Sequence, residues 1–355
     1  MINHIRTITS GTNYPYFNLA LEKYLFDTMD DRTLILYFWQ NDKTVLLGSN
    51  QNPSKDIPLR QLVEDGGFPA RRLSGGGAWY QDQGTLNYSI LTHAGNYDIE
   101  RQLDLILSAC RSLGILAARG LMAGNSISPG KDIPYDTGHF HDLTAESRTF
   151  ASYAAYSYGV RRMHHGTILI STDLDERRDY MSSDQVCSRP AGLVTDSAAK
   201  DPCYANLAEY LPGLTADELS DSIRQAFEHA FGLEAEPITY EELDRAILLS
   251  YEKIFQDDEW VYGKPVEKTV CLEHSFPWGS FSLEADVRDG MIREAVIWSD
   301  TYEGELITTI SKKLRRIPYT RRAVVEAVSS CQVSERQNEI ISDICKLICA
   351  ESDVQ

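Results

Sequence analysis

The chain has 355 residues, 43% hydrophobic and 24% charged, an ordinary globular composition with room for one large domain and a smaller one. Its formal charge of −18 comes from 34 basic and 52 acidic residues. This argues against a general nucleic-acid binder, because neutralising phosphates needs a cationic face. No apolar run approaches membrane-spanning length, and the N-terminal stretch MINHIRTITSGTNYPYFNLALEKYL lacks a signal-peptide pattern, so a cytoplasmic protein without a membrane partner is expected.

In chain order, FNLALEKYLFDTM reads as a first helix. TLILYFWQ and TVLLGSN are β-rich runs on either side of Asn41-Asp42-Lys43 and predict an early hairpin. GGFPARRLSGGGAWY forms a glycine-bounded loop leading into the strand LNYSIL, and DIERQLDLILSACRSLGI repeats Leu103, Ile106, Leu107 and Cys110 at helical spacing. AARGLMAGNSISPGKDIPYDTGHFHDLTAES has no period and reads as a long loop of the kind that often carries function. HHGTILIST is a buried strand. Thr215 and Glu218 make a capping box ahead of DSIRQAFEHAFG, which Gly232 stops. From about residue 255 the texture changes: FSLEADVRDGMIREAVIWS alternates around Asp289-Gly290, a hairpin signal, and two short helices are expected to close the chain. Strands and helices intermix without a βαβ rhythm, so the expected class is α+β.

The seven cysteines (Cys110, Cys187, Cys203, Cys271, Cys331, Cys345, Cys349) are scattered and form no CxxC pair, so reduced thiols are expected. Cys345 and Cys349 share a helix face with Ile341 and Ile348, a core pattern. Two local basic clusters, Arg161 with Arg162 and Lys312 through Arg322, read first as solvated surface. The chemically suggestive stretch is RRLSGGGAWYQDQGTLNYS, residues 71–89, where two cations precede three glycines. Glycines let backbone N–H groups come close to anionic oxygens, and cations neutralise them.

FNLALEKYL, VLLGSNQNP, RRLSGGGAWYQDQGTLNYS, HHGTILIS, NLAEYLPGLT and FPWGSFSLEADV occur in the order and spacing of lipoate–protein ligases of the A type, which the chain resembles from about Tyr16 to about Val328. The resemblance implies a mixed-sheet core like those of class II aminoacyl-tRNA synthetases and biotin protein ligases. It also implies a catalytic lipoate- and ATP-binding domain over residues 1–250 and a small α+β accessory domain over 251–355. The implied activity is ATP-dependent adenylation of lipoate or octanoate, with Mg²⁺ accompanying the ATP, then transfer to a lysine of a lipoyl domain of a 2-oxoacid dehydrogenase or of a glycine-cleavage H-like protein. Arg161 with Arg162, or the cluster from Lys312 to Arg322, would face such an acceptor.

Carried over by motif, Arg71, Arg72, Ser74, Gly75, Gly76, Gly77 and Ala78 match the adenylate-cradling segment, Trp39 the wall of the acyl tunnel, and His165, Gly166 and Thr167, after His164, the HHGT strand. Asn50, Gln51, Gln81, Asp82 and Asp142 fall at nucleotide-side positions. The family lysine that bridges substrate carbonyl and α-phosphate aligns with Thr149; reading AGNSISPGKDI as its motif instead makes Lys131 the cation. Ser49, Gln81, Thr85 and His141 depart from the family pattern as well. Three readings stand: an active ligase, a catalytically impaired protein that binds lipoate or lipoyl domains, and an acyl transferase using Cys187 or Cys203 as a thioester nucleophile.

Overall fold

The computed structural model describes residues 2–53, 57–120, 142–181, 203–331 and 333–351. The chain begins β1 (His4–Thr9), α1 (Pro15–Thr28), β2 (Thr33–Trp39), β3 (Thr44–Leu47), α2 (Leu59–Glu64), β4 (Phe68–Arg71), β5 (Trp79–Gln81), β6 (Thr85–His93) and α3 (Ile99–Ser112). It continues through β7 (Ala117–Arg119), β8 (Asp142–Ala145), β9 (Arg148–Tyr158), β10 (Arg161–Leu169), α4 (Leu174–Tyr180), α5 (Ala216–Phe231), β11 (Ala235–Pro237), α6 (Arg245–Gln256) and α7 (Asp258–Val261). It ends with β12 (Val270–Phe276), β13 (Gly279–Arg288), β14 (Met291–Trp298), α8 (Gly304–Lys313), α9 (Arg321–Ser329) and α10 (Glu335–Ala350).

All seven residues of β2 are buried, because the sheet it belongs to is covered on both faces. Leu34, Leu36 and Phe38 point into a core filled from α3 and α5 by Leu103, Ile106, Leu107, Ile223 and Phe227. Ile35, Tyr37 and Trp39 point the other way, against Leu21, Leu25 and Phe26 of α1 and Phe255 of α6. Side chains alternate along a strand, so a strand between two apolar layers must be apolar throughout. The sheet runs β11-β1-β2-β6-β10-β9-β8-β7. β1 is parallel to both its neighbours and the remaining pairs are antiparallel.

The hairpin expected around Asn41-Asp42-Lys43 does not form. β2 pairs with β1 and β6, while β3 crosses to a second, three-stranded sheet between β4 and β5. That small sheet carries the two arginines and the glycine turn at its edge. The capping box is present, with Glu218 N–H on Thr215 Oγ1 at 3.2 Å and Gly232 closing α5 at φ 65°. The hairpin at Asp289-Gly290 is also present, both residues having positive φ. Three helices rather than two follow it among the described residues; the first stops at Leu314, and Thr320 caps the second. They pack on the β12-β13-β14 sheet around Phe281, Ile297, Ile307, Val328 and Ile344. The class is α+β. No helix among the described residues is long and apolar enough to cross a membrane.

Phe227 is fully buried where α5 meets α3 and the large sheet. Phe227→Ala is expected to lower unfolding free energy by about 3–5 kcal/mol, read as a shift in urea midpoint at unchanged slope.

Candidate functional site

Arg71 and Arg72 leave β4 side by side and turn to different duties. Arg71 donates from Nη1 to the carbonyls of Gly48 at 2.7 Å, Ser49 at 3.2 Å and Gln51 at 2.9 Å, and from Nε to that of Val261 at 2.9 Å. It thereby gathers the loop after β3 and the end of α7. Arg72 donates to Leu46 O at 3.1 Å, Ser74 Oγ at 3.0 Å, Gly75 O at 2.7 Å and Gly77 O at 2.9 Å, so it shapes the glycine turn from inside. Burial pushes both guanidinium groups down to about 10, which still leaves them charged at neutral pH.

A cavity of about 260 Å³ opens beside this turn. One wall is Trp39, Leu46, Asn87, His165, Gly166 and Thr167, and the turn contributes Arg72, Gly77 and Ala78. Ser152, Tyr153 and Ala154 of the neighbouring strand β9 continue that wall, and Trp79, Asp142, Arg177, Tyr204, Asp300 and Tyr302 complete the lining. Gly166 is required by close packing: a Cβ there would lie 2.5 Å from Tyr88 Oη and 2.7 Å from Ser152 O. The indole Nε1 atoms of Trp39 and Trp79 are buried without an acceptor, so two wall residues carry N–H donors that a ligand could satisfy.

Behind the wall runs a buried chain of polar groups. His165 Nε2 lies 2.6 Å from Ser74 Oγ, and its Nδ1 lies 2.8 Å from Glu22 Oε1, which also accepts from Ser89 Oγ. Arg72 Nε donates to Ser74 Oγ, so the serine links the arginine to the imidazole and carboxylate behind it. His164, the other member of the pair, points to the opposite core, with Tyr88 Oη and Gln102 Oε1 each at 3.1 Å.

Asp142 stands at the start of β8 and receives Thr149 Oγ1–H on Oδ2 at 3.3 Å. Desolvation pushes its carboxyl up to about 6, against the opposing pull of Ser152, Thr149 and the Arg177 charge. Arg177 is 1% exposed. Its guanidinium carbon lies 3.7 Å from the Tyr204 ring centre and 5.1 Å from that of Trp79. Two other α4 side chains fix this arrangement: Glu176 pairs with Lys43 and Tyr80 Oη, and Tyr180 stacks on Tyr80.

The segment after β14 seats directly on the glycine turn. Gly76 N–H donates to Thr301 O at 2.9 Å, and Ser299 N–H to Asn50 O at 2.8 Å. A Cβ on Gly75 would lie 2.5 Å from Thr301 O, and one on Gly304 would lie 2.5 Å from Ser49 Oγ. The Tyr302 ring packs where a Gly76 Cβ would be, at 2.9 Å, and its hydroxyl shares Ser152 with Asp142. The glycines therefore admit a second protein backbone as well as opening toward the cavity.

The sequence candidates divide accordingly. Trp39, Arg72, Gly77, Ala78, Asp142, His165, Gly166 and Thr167 line the cavity, while Ser74, Gly75 and Gly76 support it from behind. Arg71 and Gln51 are not in its lining; they hold the loop after β3. Asn50 binds Thr308 Oγ1 at 3.0 Å. Gln81 donates to Asn87 and Thr167 in a buried amide cluster with Asn41. Asp82 accepts from the Gly84 and Asp173 amides. Thr149 touches Asp142 without lining the cavity. Lys131, His141 and Cys187 lie outside the described residues. Cys203 is disulfide-bonded rather than a reduced thiol, so it presents no thiolate. The basic clusters are half-buried or exposed: Arg162 bonds to Gly159 O, Arg315 pairs with Glu294, and Arg322 with Glu326. Among the described residues no group of three or more His, Cys, Asp or Glu side chains could hold a metal ion. Sequence reasoning missed Arg177 and Tyr302; the first sits in the charge-rich run DERRDY and the second in no recognisable motif.

Residues 14–228 match the model of the lipoyl protein ligase A/B catalytic domain, and residues 267–348 that of the bacterial lipoate protein ligase C-terminus. Lipoate-protein ligase A of Psychrobacter cryohalolentis is 29% identical over 328 residues, 90% of each chain. Among solved structures, P. falciparum LipL1 in complex with lipoate aligns with a TM-score of 0.79 at 21% identity, over 98% of this chain and 100% of that one. A lipoate-protein ligase A bound with ATP aligns at 0.58 and 21% identity, over 74% of this chain and 99% of that one. At such identities the structural likeness is one of fold.

Two outcomes are expected from this geometry. Gly75→Ala drives a methyl into Thr301 O, so amide exchange at Gly76 and Ser299 should accelerate about tenfold or more as the seated segment opens. Asp142 has a folded pKa near 6, above its ordinary value of 3.8. Ionising it therefore opposes folding, and the chain loses stability as pH rises from about 4 through 6. Asp142→Asn should remove that loss, its urea midpoint gaining on the wild type between pH 4.5 and pH 7.5; a constant difference would refute it.

Proposed function

The chain belongs to the lipoyl protein ligase A/B family, and from that premise we propose that it adenylates lipoate or octanoate with ATP and transfers the acyl group to a lysine of a lipoyl domain or glycine-cleavage H-like protein. The single observation that carries the reading is the cavity itself: a buried arginine and a glycine turn at one side, a tryptophan-lined wall at the other, and a polar rim at Asp142 and Ser152. An acyl chain with a carboxylate head meets apolar surface along its length and cationic surface at its end.

In the first half-reaction the carboxylate oxygen attacks the α-phosphorus and the bond to pyrophosphate breaks. In the second, the acceptor lysine amine attacks the acyl carbon, the bond to AMP breaks, and the amine proton leaves to solvent or base. Neither step requires a nucleophile from this chain, so its residues position and neutralise. Arg72 keeps the turn open beside the junction, Trp39 and Thr167 flank the acyl chain, and the Glu22–His165–Ser74 chain holds Arg72 in place. Mg²⁺ would travel on the ATP phosphates.

One observation favours a second reading. Thr149, at the aligned lysine position, brings only a neutral hydroxyl to Asp142, and removing one preorganised donor at developing charge lowers rates by about 10²–10³. A chain so altered could bind lipoate without activating it. Lipoate-dependent exchange of labelled pyrophosphate into ATP separates the two. Exchange by the wild type is expected. Its absence, with lipoate still bound by calorimetry and Thr149→Lys gaining exchange, would leave a binding protein on a ligase fold.

A further inference from the structure

We propose that the tip of the β9–β10 hairpin, built from Tyr158, Val160 and Arg161, is the surface on which the acyl acceptor protein docks, through an acidic loop of that partner. The inference rests on the ligase reading for the identity of the acceptor and concerns a surface outside the cavity.

Tyr158 is 67% exposed and Val160 58%, on either side of Gly159, which takes the turn at φ 58°. The backbone beneath them is held in place. Val160 O accepts from Ala94 N–H at 2.8 Å, and Arg162 Nη1 donates to Gly159 O and to Arg161 O, each at 2.8 Å. An aromatic and an aliphatic side chain standing on a fixed turn lose little freedom when a partner covers them, the property of an interface anchor.

Arg161 supplies the charge. It is half-buried, its Nε is buried without an acceptor, and no ion pair engages it among the described residues. A guanidinium partly withdrawn from water gains most from an anion brought by another molecule. Arg162, on the opposite face by strand alternation, has its charge answered within the chain by Glu305, whose carboxyl it pulls down against desolvation. The basic stretch from Lys312 to Arg322 is largely engaged in its own layer: Lys313 donates to Ser330 Oγ, Arg315 pairs with Glu294, Arg321 donates to Glu351 O, and Arg322 pairs with Glu326. In a chain of net charge −18, an unpaired cation beside exposed apolar side chains selects a partner that offers carboxylates there.

The tip and the cavity belong to one face of one hairpin. Arg161 pairs with Tyr158 and His165 with Ala154 across β9 and β10, so alternation puts Arg161, His165 and Thr167 on the same side as Tyr158 and Ala154. His165, Thr167 and Ala154 line the cavity. The four residues from Arg161 to His165 span about 13 Å of strand, and a folded domain of about 100 residues has a radius of gyration of about 13 Å. One such domain seated on the tip is wide enough to present a lysine at the cavity.

The test uses the full chain with a purified apo lipoyl domain and compares Arg161→Glu, Arg161→Lys and Arg322→Glu with the wild type. Three quantities are read: lipoate-dependent pyrophosphate exchange without acceptor, KM and kcat for the lipoyl domain in acyl transfer, and calorimetric affinity for that domain. Arg161→Glu is expected to raise KM and Kd for the domain about tenfold or more, with kcat and exchange within about twofold of the wild type. Arg161→Lys and Arg322→Glu should stay within about threefold in all three, and added salt should weaken wild-type binding more steeply than that of Arg161→Glu. Unchanged KM and Kd in Arg161→Glu would overturn the surface, as would equal losses in exchange and in affinity for the domain. A wild type that binds no lipoyl domain and instead self-associates through this tip in light scattering would also overturn it. If Arg161→Glu does not fold, Val160→Glu decides: the same loss of affinity for the domain supports the surface, and unchanged affinity removes it. A wild type that binds the domain in an Arg161-dependent way yet performs no exchange keeps the surface and discards adenylation. Transfer with unchanged KM in Arg161→Glu does the reverse.

Discussion

Two adjacent guanidinium groups buried at one turn set the terms for the rest of the site. Removing a cation from water is costly unless carbonyls or anions replace the lost hydration, and Arg71 and Arg72 meet that demand by drawing backbone toward themselves. Arg71 collects three carbonyls from the loop after β3 and one from α7. Arg72 collects carbonyls on both sides of Gly76. The turn needs glycine because it is compressed: a Cβ on Gly48 would lie 1.8 Å from Gly76 O. The cavity, the seated segment from Ser299 to Gly304 and the orientation of Ser74 toward His165 all follow from that compression.

The lining of the cavity combines two kinds of chemistry. On the β2 and β10 side, tryptophan, threonine and a histidine held by Glu22 make a surface that is apolar with sparse, fixed donors. Asp142 of β8 and Arg177 of α4 bring charge into a place largely closed to water, where its influence is strongest. A ligand with an apolar body and an anionic head satisfies both, and the family to which the chain belongs handles a ligand of that shape.

Much of this was legible in the sequence, and the failures have physical causes. The glycine turn drew notice through its residues, where backbone crowding leaves few types that fit, while the HHGT strand and Trp39 were picked out by the resemblance. The capping box of α5 and the turn at Asp289-Gly290 are local, and local chemistry decides them. The expected hairpin after β2 failed because both strands are buried at every position and almost wholly apolar, so no alternation reveals which strand pairs with which. Arg71 and Arg72 read as equivalent cations; only the carbonyls around them, contributed by distant segments, separate a clamp from a cavity wall. Arg177 was hidden by its neighbours, since DERRDY resembles a solvated helix face and its inward residue is selected by contacts with Trp79 and Tyr204. Tyr302 comes from a sheet and helix layer whose docking no pattern in the chain encodes.

The contact between Gly76 N–H and Thr301 O, like that between Ser299 N–H and Asn50 O, joins main chain to main chain. Such a seam depends on the backbone path, which the buried hydroxyls of Ser299 and Thr301 fix by accepting from the amides of Thr301 and Glu303. Sequence drift elsewhere in the C-terminal layer can therefore proceed without loosening it, provided the glycines at 75, 76 and 304 and the hydroxyls at 299, 301 and 308 remain. Layers from diverged relatives should be interchangeable on this core, with the seam acting as a standard joint between parts that evolve at different rates.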